Sequence, residues 1–168
     1  GEMLVKQILK NSKVRSIIFR IFNTFGPGEN LNNQKKGMVS IYSSYIWKNK
    51  TIIVKGSLKR FRDLTYVKDT TRVLLKSITT KFKNKNEIYN LSSGAVYTVE
   101  KIVQKIIKAS KKSNKYPIKV VSGTKGDSFG FHTKSKKLFR DFKFKPHYSL
   151  EEGLKEYFQW IEKVPNKK

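Results

Sequence analysis

Cysteine is absent from the 168 residues, which excludes a disulfide scaffold, Cys-ligated zinc or iron–sulfur centres and a thiol nucleophile, and suits a cytoplasmic protein. Acidic residues are scarce: 12 Asp and Glu stand against 37 Lys and Arg, a net charge of +25. Long apolar runs are missing too. No stretch approaches the roughly 18 residues of a membrane span, and the first residues lack the basic, apolar and small-residue order of a secretory signal. A soluble or at most peripheral chain without a membrane partner is expected. The 38% hydrophobic and 12% aromatic residues that remain suffice for one ordinary folded domain without staples.

Chemical signatures are missing as well. Gly26 and Gly28 are followed by Leu31 where a G-x-G-x-x-G turn needs its third glycine, and no G-x-x-x-x-G-K-[ST] loop occurs. His132 and His147 are too far apart for one helical turn and lack an H-E-x-x-H frame, so they read as surface or loop residues and no metal site is expected. Tyr97 and Lys101 match the Tyr-x-x-x-Lys spacing of a phenol beside an ammonium on one helix face. With 8 Tyr in a Lys-rich chain, roughly one or two such matches arise by chance. Tyr97 also precedes the helix cap Thr98, outside the helix, so no catalytic residue is assigned.

The charge excess admits two explanations. A +25 chain attracts nucleic acid or acidic lipid, and a basic nucleic-acid-binding module is the alternative function. Against this, the excess is mostly Lys, runs through every segment and accompanies abundant Ile and Asn, as an AT-rich coding sequence produces. Nucleic acid is therefore not the expected partner.

The hydrophobic pattern alternates between helix and strand. Met3, Leu4, Ile8 and Leu9 recur at helical spacing, in a chain that opens at Gly1 without an initiator Met and reads as cut. Residues 14–22 form an almost continuous apolar, β-branched run, expected to be a strand buried on both faces. Residues 23–37, rich in Gly and Asn, make a long loop. A helix over 38–48, a strand over 52–55 ended by Gly56, and an extended piece over 61–67 follow. Asp69 is the expected cap of a helix carrying Val73, Leu74 and Ile78, before a strand over 87–92. Beyond Thr98, Val99, Ile102, Val103, Ile106 and Ile107 form one apolar stripe. A strand over 117–121, a loop over 123–130 and a short helix over 135–142 precede a last helix, which carries a Ser149/Glu152 capping box and the apolar face Leu150, Leu154, Tyr157, Phe158 and Ile161. The class is α/β, with no internal repeat.

Four ordered motifs carry the specific signal. Arg20, Phe22, Asn23, Gly26, Pro27 and Gly28 spell R-x-F-N-x-x-G-P-G; Arg62, Asp63, Tyr66, Val67 and Asp69 spell R-D-x-x-Y-V-x-D. Tyr89, Asn90, Leu91 and Gly94 give Y-N-L-x-S-G, and Gly126 and Asp127 precede a closing L-E-E-G-L-x-x-x-x-x-W-I from Leu150. Together these resemble the C-terminal half of the extended short-chain dehydrogenases, the UDP-glucose 4-epimerase-like NAD-dependent sugar-nucleotide epimerases and dehydratases. The resemblance implies the C-terminal part of a Rossmann-like fold with its smaller substrate-binding subdomain. Residues 1–24 would end the cofactor-binding fold, and 25–168 would be mainly substrate-binding with late strands of the sheet. In that family the glycine-rich turn and the catalytic Ser, Tyr and Lys lie N-terminal to the R-x-F-N strand, so the sequence reads as beginning just after the catalytic lysine.

The resemblance implies site residues in turn. Asn23 would hydrogen-bond the diphosphate sugar; its alternative is an Asn stabilising the turn before Gly26. Phe22 would pack near the nicotinamide, or be plain core. Arg62 aligns with a phosphate-binding arginine, with a structural ion pair to Asp63 as the alternative. Ile53 and Lys55 would line the nucleotide base, or be alternating positions of an edge strand. Family members commonly carry an arginine two residues before the late Gly and Asp. Thr124 stands there, so Lys125 is the candidate for the charge without the planar fork. Leu58 replaces a second glycine near Gly56. Implied partners are a nucleotide-diphosphate sugar and, for the full-length protein, a second copy in a homodimer. NAD is the implied cofactor of the complete enzyme, in which tyrosinate takes a hydroxyl proton while NAD takes the hydride from the same carbon. This chain alone is expected neither to retain NAD nor to turn over substrate, and to fold poorly because the strand over 17–22 would lack neighbours.

Overall fold

The computed structural model describes residues 1–33, 35, 37–82, 86–123 and 125–165. The chain opens with α1 (Glu2–Ile8), β1 (Ser16–Ile21) and the two-residue strand β2 (Thr24–Phe25) inside the long loop. It continues through α2 (Met38–Trp47), β3 (Ile52–Lys55), β4 (Phe61–Asp63), β5 (Thr65–Tyr66) and α3 (Val67–Thr79). Then come β6 (Asn86–Leu91), β7 (Val96–Thr98), α4 (Val99–Ala109), β8 (Ile118–Val121), β9 (Gly130–Phe131), α5 (Lys136–Phe142) and α6 (Leu150–Ile161). No described helix is long and apolar enough to cross a membrane.

Pairing is mostly parallel. β1 runs beside β6 from Ser16 opposite Asn86 to Ile21 opposite Leu91, β2 beside β5, and β3 beside β8 from Ile52 opposite Ile118. β4 lies between β7, antiparallel, and β9, parallel. Each parallel pair is joined through a stretch that contains helix, as parallel crossovers require, which makes the fold α/β.

Helix α4 forms because its sequence settles both its start and its buried face. The Thr98 hydroxyl accepts the Lys101 backbone N–H at 3.3 Å, and all five residues of the apolar stripe are buried. That stripe packs with Val39, Tyr42 and Ile46 of α2, Ile52 and Val54 of β3, and the inner face of α6 in the main core. α6 starts with the expected capping box: Glu152 N–H donates to the Ser149 hydroxyl, and Glu152 accepts from the Ser149 N–H at 2.8 Å. A second, smaller core gathers Val73 of α3, Tyr89 and Leu91 of β6, and Leu138 and Phe142 of α5.

Two expectations are corrected. β1 is not buried on both faces. Ile17 and Phe19 pack on the second core, but no residue of the strand is fully buried and Ile21 is 49% exposed. The reason is its surroundings: among the described residues β1 has one hydrogen-bonded neighbour, β6, and none of the side chains of α1 is buried. Asp69 does not cap α3 either. The helix starts three residues earlier, after Tyr66, and the Asp69 carboxylate turns inward to accept the backbone N–H groups of His147 and Tyr148 at 3.0 to 3.1 Å. It thereby ties α3 to the segment that enters α6.

Candidate functional site: a cavity floored by two arginines

The strand β3 ends at Gly56, whose φ of +80° belongs to the left-handed region and whose added Cβ would meet Arg60 and the Gly123 backbone at 3.4 Å. This turn sends the chain back into β4. Along β3 the side chains alternate: Ile52 and Val54 enter the core, while Ile53 and Lys55 fall on the other side and face a cavity of about 500 Å³. Helix α2 closes a second wall with Met38, Ile41, Tyr42 and Tyr45. Asn23, Arg60, Arg62 and Asp127 complete the polar part of the lining.

Both arginines are buried and anchored. Arg62 donates through Nη1 to the carbonyl oxygens of Phe61 and Phe129, at 2.8 and 3.2 Å, and through Nη2 to Ser128 O and Asp127 Oδ1, at 3.0 and 3.2 Å. Arg60 donates through Nε to Ser57 O at 3.3 Å, through Nη2 to Lys55 O and through Nη1 to Asp127 Oδ2. Burial, reinforced by the Arg60 charge alongside, lowers the pKa of the Arg62 guanidinium. Burial also pushes the Tyr42 hydroxyl up, against the opposing pull of the two arginine charges. The cavity thus combines an apolar and aromatic wall with a cationic floor, a surface suited to an anionic group attached to a flat or apolar one.

Four of the residues singled out from sequence, Asn23, Ile53, Lys55 and Arg62, therefore come together from separate segments. The Asn23 amide donates to Asp63 O at 3.2 Å, a bond across to β4 and not a local turn contact. Arg62 does not pair with Asp63. Consecutive strand residues point to opposite sides, so Arg62 meets Asp127, while Asp63 is buried on the other face against the Ser92 hydroxyl. Lys125 stands apart: it is exposed in the loop before β9 and does not line the cavity, and Thr124 lies outside the described residues. Phe22, half-buried just after β1, donates its N–H to Leu91 O at 3.0 Å and also lies away from the lining.

Sequence reasoning left out Arg60 and gave Asp127 no role. The signal for Arg60 was the R-F-R spacing around β4, because residues two apart in extended chain share a face. Nothing local could have revealed that Asp127 joins both arginines, since it lies more than 60 residues further along.

Comparison with known proteins fits this architecture. The chain is 28% identical over 113 residues to dTDP-4-dehydro-6-deoxyglucose reductase of Escherichia coli, covering 67% of this chain and 35% of the relative. It superposes with a TM-score of 0.87 on UDP-N-acetylglucosamine 4-epimerase from Methanobrevibacter ruminantium M1, at 21% identity over 96% of this chain and 51% of that one. With UDP-glucose 4-epimerase from Thermotoga maritima, solved with UDP-glucose, the TM-score is 0.86 at 23% identity, over 96% of this chain and 50% of that one. Both structures share the Rossmann-like epimerase fold in their matching half, and the chain spans about half or less of the length of these relatives. Residues 1–92, which include the R-x-F-N strand, β3, β4 and both arginines, match the model of the NAD dependent epimerase/dehydratase family, and to that family the chain belongs.

Proposed function

We propose that this chain is the substrate-binding part of an NAD-dependent nucleotide-sugar epimerase or dehydratase, and that the cavity between β3, β4 and α2 takes the nucleoside diphosphate end of an activated sugar. One observation carries the reading: Asn23, Ile53, Lys55 and Arg62, which come from separate segments of the chain, line the same cavity. In it Ile53 lies against the base, Lys55 and Arg62 supply positive charge to the phosphates, and the Asn23 carbonyl and amide orient the sugar side. Fixing the nucleotide in this way places the hexose for hydride transfer, the entropy-lowering share of catalysis. Residues 1–24 belong to the end of the cofactor-binding fold and 25–168 mainly to the substrate side. In the family's chemistry NAD accepts and returns the hydride. Of this chain's residues only Phe22 is assigned to it, and a half-buried ring at a strand end fits packing against a nicotinamide but not retention of a dinucleotide. A homodimer of the full-length protein and a cytoplasmic location complete the proposal.

Calorimetric titration of the chain with UDP-glucose tests it. Saturable binding is expected, weakened roughly tenfold by Asn23→Ala or Lys55→Met, each of which removes a polar contact to the ligand. The absence of saturable binding would remove the reading. Micromolar or tighter binding of duplex DNA, with a steep salt slope, would favour the basic-module alternative, for which the family comparison offers no support.

A further inference from the structure

We propose that the outer edge of β8 binds an extended acidic segment of another protein, which joins β3 and β8 as a third strand. The edge is open: among the described residues β8 has one hydrogen-bonded neighbour, β3. Ile52 N–H donates to Pro117 O at 3.0 Å, and Gly56 N–H donates to Val121 O at 2.8 Å. Alternate residues of a parallel strand face its partner, so Lys119 belongs to this ladder while Ile118 and Val120 turn their N–H and C=O groups away from β3. Two donors and two acceptors at strand spacing are what an incoming extended backbone pairs with.

The side chains point the same way. Ile118 and Val120 lie opposite Ile52 and Val54, on the sheet face that builds the main core. Ile52 and Val54 are 0% exposed, whereas Ile118 and Val120 are 42% and 50% exposed. A further strand with apolar residues at every second position extends that face over both. Charge decides which chain supplies it. Residues 111–125 hold five Lys and no Asp or Glu. Lys111 lies 4.0 Å from Glu162 and Lys112 donates to Asn49, but Lys115 and Lys119 are exposed and enter none of the ion pairs found among the described residues. Lys119 falls on the opposite face from Ile118 and Val120, so acidic residues at the intervening positions of the incoming strand meet it. A second copy is the wrong occupant, because it brings the same lysines in a chain of net charge +25, and lysine on an edge strand guards against such self-pairing. A segment that alternates acidic and apolar residues satisfies the edge, the apolar face and the charge together.

Fluorescence anisotropy with a dye-tagged Glu-Val-Glu-Val-Glu-Val-Glu peptide tests this, with an all-Glu heptapeptide, the corresponding Lys-Val peptide and duplex DNA as competitors. Saturable binding of the Glu-Val peptide is expected, roughly tenfold tighter than that of either other peptide. Lys119→Glu is expected to weaken it several-fold. Val120→Pro removes an outward N–H without touching the ladder to β3, and is expected to weaken it roughly tenfold. If the Pro variant does not fold by circular dichroism, amide exchange of the wild type followed by NMR decides: the peptide is expected to slow the Ile118 and Val120 amides about tenfold and to leave that of Lys119, already in the ladder, nearly unchanged. Equal binding of the all-Glu peptide, or Ile118 and Val120 amides that the peptide does not slow, overturns the proposal and leaves charge attraction alone. So does the absence of binding. Duplex DNA that binds more tightly than the Glu-Val peptide overturns it in favour of a nucleic-acid surface, and a dimer whose Ile118 and Val120 amides are already protected without peptide gives the edge to a second copy.

Discussion

Asp63 lies next to Arg62 in sequence and has the opposite fate. It is 0% exposed, its Oδ2 accepts from the Ser92 hydroxyl, and Oδ1 is buried without a hydrogen bond of normal geometry among the described residues. Burial raises its pKa above the usual carboxylate value, with the Ser92 bond pulling partly back. A carboxyl whose pKa is raised on folding adds stability that is full below the unfolded pKa, near 4, and is lost as pH climbs through the folded value. Asp63→Asn keeps an acceptor for Ser92 and cannot ionise. Its melting temperature relative to wild type is therefore expected to rise between about pH 4 and pH 7. A constant difference across that range, measured by calorimetry, would mean that Asp63 carries no burial penalty. The R-D pair was visible in the sequence, but the separation of its members was not. Arg62 finds Asp127 and Asp63 finds Ser92, and both partners lie tens of residues away.

Elements whose causes are local were legible, and those whose causes are distant were not. The stripe of α4 and the capping box of α6 are written within a few residues, and both appear as expected. The role of Asp69 depends on backbone N–H groups 78 and 79 residues on, and the exposure of β1 depends on neighbours a strand does not specify. Gly153 belongs with the hidden causes. It reads as an inert helix position, yet a Cβ there would lie 2.8 Å from the Tyr66 ring and 2.9 Å from Phe25. Those rings are buried and packed on each other at 5.5 Å between centroids, so neither can move aside freely. Gly153→Ala gains about 1 kcal/mol of helix propensity and incurs overpacking of about 1–3 kcal/mol. We expect a net loss of up to roughly 2 kcal/mol, read as a lower denaturation midpoint with an unchanged m-value. A stabilised variant would show that β5 and α6 have room for a methyl group between them.

Across the whole molecule, stability is expected to be uneven. α2, α4 and α6 with β3 enclose the main core, in which Ile102, Ile106, Leu154 and Tyr157 are all 0% exposed. By contrast Met3, Leu4 and Ile8 of α1 are 83%, 61% and 67% exposed, and β1 is hydrogen-bonded along one edge only among the described residues. The α/β alternation was legible in the order of periodicities. The convergence of β3, β4, α2 and the late loop on one cavity was not, because no local pattern encodes where segments meet; the resemblance named residues of β3 and β4 for one ligand but none of α2. The free energy needed to open a segment follows the apolar surface it buries, so the two ends of this range should exchange amide hydrogens very differently. In the isolated chain, amides of α4 and α6 are expected to be the slowest, those of β1 intermediate, and those of α1 to exchange almost as fast as unstructured peptide. Mass spectrometry after timed deuteration reads this directly. If α1 proved as protected as α4, its apolar face would have to be covered, and a concentration series would show whether a second copy covers it.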